Sequence, residues 1–476
     1  MQLFRFRWVY CQLQTLRRCF PPSIRSLLDE LPITLDETYE RILMEIPEEK
    51  WRHAHRLFRC LIASFRPLRV EELAEVLAIR FDSDTTADLV TGWRPEDTED
   101  AILSACSSLV TVVKIDGSPI VQFAHFSVKE YLTSNRLTMA KASVLRYHIP
   151  AEPAHLPAHL ILAQACLSTL LELDEHIHKD RLKNYPLVFY AAQYWVDHVQ
   201  IGDTSLSILD RMEQLFDADK PHFSAWIWLY DVNHSWRIAS MEDISERPSE
   251  PVATPLYYSA ACGLRSLVER LVATHPKDVN PREGSIWAPL RVAIEKRQLN
   301  VARLLLEHGA YPDIKGTNGW TLLHEASYGW DIGALQLLLE HGADVDCRNS
   351  RDQTPLHLSS DVGSLEAMQL LVVYGADVNK RIPNGWTPLH RAVRNRSVEA
   401  VRLLLQCGAN VNEEDENGWT ALHFVSDRFG GSLEIALALL DCGADMHART
   451  NSDMTPLEMA LNNGHHDIVQ LLLSMM

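Results

Sequence analysis

The sequence predicts a mainly α-helical protein whose C-terminal half is a solenoid of six to seven short repeats. A Thr-Pro-Leu-His-like segment recurs about every 33 residues from Thr254 onward, and a glycine recurs with the same period between Gly309 and Gly443. Two anchors that share one period indicate stacked supersecondary units. A third observation, a β-hairpin pattern after helical patterns in residues 35–150, adds a small sheet to the N-terminal half.

The repeated segment has the features of a helix start. In most units a threonine hydroxyl can cap the helix, and the proline that follows takes the first helical position, where a missing N–H costs nothing. Later in each unit an apolar run is ended by a glycine, which can adopt a positive φ. We number the units 1 to 7 by their opening residues: Thr254, Ala288, Thr321, Thr354, Thr387, Thr420 and Thr455.

A turn is expected to project from each unit toward the next. Ala-Asp-Val-Asn-like segments follow the helix-ending glycine, and Asn-Gly pairs such as Asn384-Gly385 are typical of turns. A unit of two short helices cannot bury its apolar face alone. We therefore expect the stability of the array to come from stacking on neighbouring units.

These units resemble the ankyrin repeat. Its TPLHxA signature is matched almost letter for letter at 354–359 and 387–392. The resemblance covers six or seven units and implies a solenoid whose concave face binds a protein ligand. Unit 1 departs from the pattern because Tyr257 replaces the histidine, as is expected of a terminal cap, and unit 6 has two extra residues around Gly430-Gly431.

The region 35–150 has a different pattern. Three amphipathic helix patterns precede two alternating apolar segments, which flank the turn signal Asp116-Gly117. Helices followed by a small hairpin predict a winged-helix-like domain. Its expected recognition helix, Thr98–Leu109, carries acidic residues and no basic one, which argues against DNA binding.

The order of four segments in this region adds a family resemblance. LPITLDETYERIL, RPLRVEELAEVLA, SSLVTVV and QFAHFSVKEYLTS resemble the region after the nucleotide-binding NACHT module of fungal NLR-like signalling ATPases, in which ankyrin arrays often follow. The resemblance implies four parts in the chain. These are a helical remnant following a missing NACHT-type module at 1–34, the winged-helix-like domain at 35–150, a helical spacer and linker at 151–250, and ankyrin repeats at 251–476.

The sequence lacks the loop with which such ATPases bind phosphate. That loop requires GxxxxGK[ST], and no Gly-Lys dipeptide occurs in the chain. A GxSxG elbow and a cysteine-protease signature are also absent from the sequence. We therefore expect no cofactor and no enzymatic activity.

Histidines are the remaining candidates for chemistry. Pairs such as His155/His159 invite a metal interpretation, but Pro157 separates these two and no cysteine or acid cluster accompanies them, so no metal site is predicted. Four histidines recur with the period of the units, and we expect each to hydrogen-bond the turn and the neighbouring unit. They are His324, His357, His390 and His423.

Composition limits the partners and the compartment. A formal net charge of -18 repels phosphate backbones, so nucleic acid is not an expected partner. Nine cysteines without a CxxC pair are typical of reduced thiols, which predicts a cytoplasmic protein. No run of apolar residues is long enough to predict a membrane span. The oligomeric state stays open.

Binding residues are expected where the repeat leaves the sequence free. These positions are the residue before the opening threonine and the end of the first helix, where large aromatics and arginines recur. The candidates are Trp320, Tyr328, Trp330, Gln353, Asp361, Trp386, Arg394, Asn395, Trp419, Asp427 and Arg428. For the tryptophans, packing against the adjacent turn is the alternative interpretation.

Together these features predict a non-catalytic scaffold whose ankyrin face recognises a protein ligand, in NLR-like signalling or self/non-self recognition. The alternative is the C-terminal sensor part of a signalling NTPase whose NACHT module lies upstream or on another chain. An in-frame GxxxxGK[ST] encoded before Met1 would favour this alternative.

Overall fold

The structure is a computed structural model that describes residues 34–476 apart from several short segments. The segments left out are 82–86, 116, 138–143, 145–146, 148, 150–155, 202–204, 231–252, 282–286, 330 and 429–430. The helical remnant expected at 1–34, except for its last residue, and most of the linker expected near 240–251 therefore lie outside the described residues. The chain divides into two compact bodies at Pro255 and Leu256, an N-terminal body and a repeat array.

The N-terminal body is mainly helical. In its described part the α-helices are α1 Leu35–Glu45, α2 Trp51–Ala63, α3 Val70–Leu77, α4 Thr98–Cys106, α5 Phe126–Thr133, α6 Leu156–Leu171, α7 Val188–Gln200, α8 Ser205–Leu215 and α9 Pro221–Leu229. The strands are β1 Leu68–Arg69, β2 Ile79–Phe81, β3 Ala87–Leu89, β4 Val110–Ile115 and β5 Ser118–Phe123.

A winged helix forms from α2, α3, α4 and a three-stranded antiparallel sheet. Strands β4 and β5 pair as a hairpin around Gly117, whose φ of 81° is readily adopted by glycine. The short β1 adds to the other edge of β5, with Leu68 opposite Val121. Because α3 and α4 connect β1 to β4, the connectivity is that of a winged helix, as the sequence predicts.

A second hairpin was not predicted. Strands β2 and β3 pair between α3 and α4, with Ile79 opposite Leu89. Each has three residues, and an alternation this short does not distinguish a strand from a loop.

Two buried carboxylates fix α3 in the N-terminal body. Glu72 is completely buried and accepts hydrogen bonds from the Arg66 and Arg69 guanidinium groups, at 2.7 and 2.9 Å. Glu75, also buried, is held at both oxygens by Arg94. A buried carboxylate that loses its partner is strongly destabilising, so these arginines are required for the packing of α3.

Helices α6 to α9 extend the N-terminal body beyond the winged helix. Helix α6 packs against α2 and α7. The buried rings of Trp195 and Trp226 meet edge to face, with centroids 5.6 Å apart. The spacer is therefore helical in its described part, as predicted.

The repeat array contains seven helix pairs in its described residues. The first helices are Pro255–Ala261, Pro289–Glu295, Leu322–Gly329, Pro355–Val362, Pro388–Arg394, Ala421–Ser426 and Pro456–Asn463. The second helices are Arg265–Thr274, Leu299–Glu307, Ile332–Glu340, Leu365–Val373, Val398–Gln406, Leu433–Asp441 and His466–Met475. The glycine that ends the second helix has a positive φ, between 80° and 92°, in units 2 to 6, which confirms its predicted role.

The array has a concave side built from the first helices. From unit 3 to unit 7 the first helices of successive units pack on one another more closely than the second helices do. Tighter spacing on one row than on the other curves the stack toward the tighter row. The projecting turns, here called fingers, precede the first helices, and in unit 5 the finger comprises residues 377–386.

A threonine and a histidine start the first helix in units 3 to 6. In unit 4 the backbone N–H and the hydroxyl of Thr354 lie 3.3 and 2.8 Å from Nδ1 of His357. A backbone N–H can only donate, so Nδ1 is unprotonated and the proton lies on Nε2. Nε2 donates to the carbonyl oxygen of Trp386 in unit 5, at 3.2 Å. The histidine therefore caps its own helix and bonds to the next unit, as predicted.

The same device recurs in units 3 and 6, but the bond expected for His390 in unit 5 is not made, because its buried Nε2 has no hydrogen-bond partner among the described residues. Nε2 of His324 reaches the carbonyl oxygen of Gln353 at 2.9 Å, and Nε2 of His423 reaches that of Met454 at 3.2 Å. In unit 7 a glutamate takes the place of the histidine, because Glu458 accepts the N–H of Thr455.

Adjacent fingers are joined by backbone and side-chain hydrogen bonds. The carbonyl oxygen of Asn384 accepts the N–H of Glu416 in the next finger, at 3.1 Å. Gly385 has a φ of 84°, and a Cβ there would lie 2.7 Å from Cα of Asp415, so the contact needs glycine. At the finger base Asn379 accepts the N–H of Asn410 at 2.7 Å.

We expect Leu371→Ala, in the second helix of unit 4, to lower the free energy of unfolding by about 2 to 5 kcal/mol, because Leu371 is completely buried. Val373→Ala on the same helix is the matched control, since Val373 is 79% exposed. Chemical denaturation of the full chain measures the change, and hydrogen exchange locates it in the array. A loss below about 0.5 kcal/mol, the size of surface effects, would contradict the stacking described here.

The array should also lose stability in mild acid. Burial lowers the pKa of His357 and of His390 to about 4 from the ordinary 6.5, so the unfolded chain binds more protons between these values. The stability supplied by the neutral histidines is therefore present above pH 6.5 and is lost as the pH falls toward 4.

The comparison of wild type with His357→Gln isolates one histidine, because glutamine keeps an acceptor for Thr354 and does not titrate. We expect the wild type to lose about 1 to 2 kcal/mol more than the variant between pH 7.5 and 5, measured by chemical denaturation. Parallel pH profiles of the two proteins would show that protonation of His357 does not limit stability.

Candidate protein-binding groove

The concave side of the array contains a cleft of about 530 Å³ between the fingers and first helices of units 3 to 5. It is lined by Trp320, Tyr328, Arg351, Gln353, Leu358, Asp361, Ile382, Pro383, Asn384 and Arg391. Ligand pockets typically measure about 300 to 1,000 Å³. This groove cleft therefore has room for one or a few side chains of a bound polypeptide.

Trp320 and Tyr328 form an aromatic wall of the groove cleft. Trp320 precedes the opening threonine of unit 3, and Tyr328 lies near the end of the first helix. Their rings meet edge to face, with centroids 5.6 Å apart and planes at 80°. Because Tyr328 is 50% exposed, part of its ring surface is accessible to a partner.

Trp386 is the centre of a side-chain cluster beside the groove cleft. Its indole N–H donates to Oδ2 of Asp415 at 3.2 Å, and its ring meets Phe424 edge to face at 5.0 Å. The guanidinium groups of Arg391 and Arg394 lie 4.8 and 5.0 Å from the centre of the same ring. Trp386 thus packs inside the array and, through cation–π contacts, orients two arginines on its concave side.

Asp415 and Phe424 connect this Trp386 cluster to unit 6. Oδ1 of Asp415 accepts the backbone N–H groups of Asn417 and Trp419, both at 2.8 Å. Phe424 lies between the two tryptophans, since its ring is also 5.1 Å from that of Trp419. The carboxylate of Asp415 is therefore committed to hydrogen bonds that shape the finger.

Three arginines make this part of the groove positively charged. Arg391, with 15% of its side chain exposed, pairs with Asp361 at 3.4 Å. Burial lowers the pKa of Arg391, the carboxylate of Asp361 opposes the change, and the nearby charges of Arg394 and Arg351 add to it. Neither Arg351 nor Arg394 forms an ion pair with a carboxylate of the described residues. Arg391 thus has one aspartate as its ion-pair partner and two further guanidinium groups close by.

Most of the predicted binding residues come together here. Trp320, Tyr328, Gln353 and Asp361 line the groove cleft, and Trp386, Arg394 and Trp419 belong to the Trp386 cluster. Asn395, Asp427 and Arg428 follow the first helices of units 5 and 6, outside both sets. Trp330 lies outside the described residues.

Sequence reasoning missed several residues of the groove. Leu358, Arg391 and Phe424 occupy the position after the histidine of the TPLH-like segment, which varies from unit to unit. That variation within an otherwise regular segment was the signal that could have found them. Ile382 and Pro383 gave no such signal, because the direction of a finger side chain depends on the conformation of the turn.

The described residues offer little for catalysis or metal binding. No group of three or more His, Cys, Asp or Glu side chains among them could hold a metal ion. Burial raises the pKa of Cys60 and of Cys347 to about 12, so both thiols are protonated and weakly nucleophilic at neutral pH. Within the same residues no helix is long and apolar enough to cross a membrane.

Two family models match the sequence. Residues 39–143 match the winged helix domain of GPI inositol-deacylase. Overlapping segments of the array match ankyrin repeats, at 256–349, 311–382, 363–450 and 412–476. The two matches cover the winged helix and the helix pairs described above.

Individual relatives match parts of the chain. Azaphilone pigments biosynthesis cluster protein L of Monascus ruber is 31% identical over 297 residues, and the match spans 60% of this chain and 61% of that protein. Protein fem-1 homolog C of Danio rerio is 49% identical over 43 residues, 9% of this chain and 7% of the relative. The ankyrin repeat domain of Bcl-3 in its crystal structure matches 46% of this chain and 100% of its own, with 34% identity and a TM-score of 0.42. The chain thus combines a winged-helix domain of the GPI inositol-deacylase type with an array of ankyrin repeats.

Proposed function

We propose that this protein is a non-catalytic interaction scaffold whose concave ankyrin face, in units 3 to 6, recognises a protein ligand. The observation that carries the proposal is the Trp386 cluster. Its tryptophan is held at the indole N–H and at the ring, and two arginines lie over it beside an open cleft. Side chains fixed before binding lose little entropy when a partner arrives.

The composition of the groove supports a protein ligand. Tryptophan, tyrosine and arginine dominate the binding energy of protein interfaces, and all three residue types occur here. The finger of unit 6 carries Glu413, Glu414 and Glu416, which would repel the continuous charge of a nucleic acid.

For the cellular role we propose NLR-like signalling or self/non-self recognition in the cytoplasm. The order of a winged helix, a helical spacer and ankyrin repeats supports this role, because NLR-like ATPases have such a region after their NACHT module. The same order supports the alternative, in which this chain is the sensor part of a signalling NTPase. The match at 39–143 to a winged-helix model is the observation that favours it.

We expect the double variant Tyr328→Ala/Arg394→Ala to lose the partner. Both side chains are exposed in the groove, so their removal deletes contacts without opening a cavity. Tagged full-length wild type and variant are used to capture proteins from an extract, which mass spectrometry identifies. The purified partner is then titrated, and we expect at least roughly tenfold weaker binding.

The matched control is Tyr374→Ala/Arg402→Ala, which removes an exposed tyrosine and an exposed arginine associated with the second helices of units 4 and 5. It should keep wild-type affinity. Equal affinity of the groove variant and the control would exclude this face. Trp386→Ala is unsuitable as a first test, because its loss also removes the contacts to Asp415 and Phe424 that stabilise the array.

We also expect that the chain by itself binds no Mg·ATP, because it has no glycine-lysine loop to surround the phosphates. Isothermal titration of the full chain with Mg·ATP should give no heat of binding. A dissociation constant in the micromolar range would contradict this prediction and would favour an NTPase role for the chain itself.

A further inference from the structure

We infer that the groove binds a short acidic segment of the partner, in which a large apolar side chain enters the groove cleft and a neighbouring aspartate or glutamate pairs with Arg351 and Arg391. The inference deepens the proposed function and rests on it.

The first support is a local reversal of charge. The chain as a whole has a formal net charge of -18, whereas at the groove Arg391 has the guanidinium groups of Arg351 and Arg394 close by and one carboxylate, Asp361, as its ion-pair partner. Like charges close together are relieved by an incoming anion. A basic segment would add to the repulsion among the arginines. The carboxylate that could attract it, Asp361, is already paired with Arg391.

The second support is the hydrogen-bonding state of Arg391. Its Nη1 contacts Asp361 at the long distance of 3.4 Å, and its buried Nε has no hydrogen-bond partner among the described residues. Carboxylates bind guanidinium groups best through two parallel N–H donors. The buried Nε is out of reach of a partner, so the Nη groups are the donors that Arg391 offers to a second carboxylate, while its ring contact with Trp386 holds the guanidinium group in place.

The third support is the apolar wall next to these charges. Trp320, Tyr328, Ile382 and Pro383 line the same cleft as Arg351 and Arg391. An apolar side chain that fills the cleft excludes water from the neighbouring ion pair, which strengthens it. Recognition thus requires an apolar side chain and an acidic side chain at adjacent positions of the partner's segment.

The acidic segment must be short. The finger of unit 6, which supplies Asp415 to the Trp386 cluster, carries Glu413, Glu414 and Glu416, and of these Glu413 pairs with Arg381. A long polyanion would be repelled there, so an acidic residue beside an apolar residue fits better than an extended acidic tract or a nucleic acid.

A displayed library of random dodecamer peptides, selected on the immobilised full chain, tests the inference. We expect enriched peptides to carry aspartate or glutamate within two residues of Leu, Ile, Phe or Trp. An enriched peptide, synthesised with a fluorescent label, should bind about five- to tenfold more weakly to Arg351→Gln. Its affinity should also fall as salt rises from about 50 to about 300 mM.

Arg402→Gln, on the second helix of unit 5, is the matched control and should bind the peptide as the wild type does. Enrichment of peptides without acidic residues, no enrichment, or unchanged affinity in Arg351→Gln would each overturn the inference. If the captured partner still depends on Tyr328 and Arg394, such a result leaves the proposed function intact. If binding of the captured partner does not depend on Tyr328 and Arg394, the proposed function itself is contradicted, whatever the peptide selection gives.

Discussion

The hydrogen bond from a neutral histidine of one unit to a carbonyl oxygen of the next, made in units 3, 4 and 6, is the constraint on which the groove depends. It exists because the threonine N–H occupies Nδ1, which forces the proton onto Nε2. The acceptor for His357 is the carbonyl of Trp386, so a side chain of unit 4 fixes the backbone of the residue whose own side chain organises the groove. A helix cap in one unit therefore determines the position of the candidate binding residues in the next.

Trp386 has packing contacts that are compatible with the binding role we propose for its surroundings. Its indole N–H bonds to Asp415 in the finger of unit 6 and its ring packs against Phe424 in the first helix of that unit, whereas Arg391 and Arg394 lie over the ring. Of the two interpretations of the tryptophans that the sequence leaves open, the structure shows packing for Trp386, and binding remains our proposal. Arg391 and Arg394 are therefore held in place before any partner binds, by a tryptophan that also stabilises the array.

The features that can be predicted from the sequence are those that are local and that recur with the period of the units. The unit period, the helix starts at threonine, the helix ends at glycine and the histidine bonds follow from residues that recur with one spacing. The contacts of Trp386 with Asp415 and Phe424 join residues of different units, 29 or more positions apart, and depend on how the units stack. The β2–β3 hairpin escaped prediction for another reason, since its strands are too short to show a period.

The first helix of unit 6 stops early, and this has a consequence for how such arrays diversify. Ala421–Ser426 is the shortest first helix in the described array, yet unit 7 still stacks, because His465 bonds to the carbonyl of Asp427 and Gly431 bonds back to Val425. The register of the fingers of units 6 and 7 is set elsewhere, by the hydrogen bond from the backbone N–H of Asn451 to the carbonyl oxygen of Asn417. The segment after Ser426 is thus a place where length can change during evolution while the stacking of the scaffold stays the same.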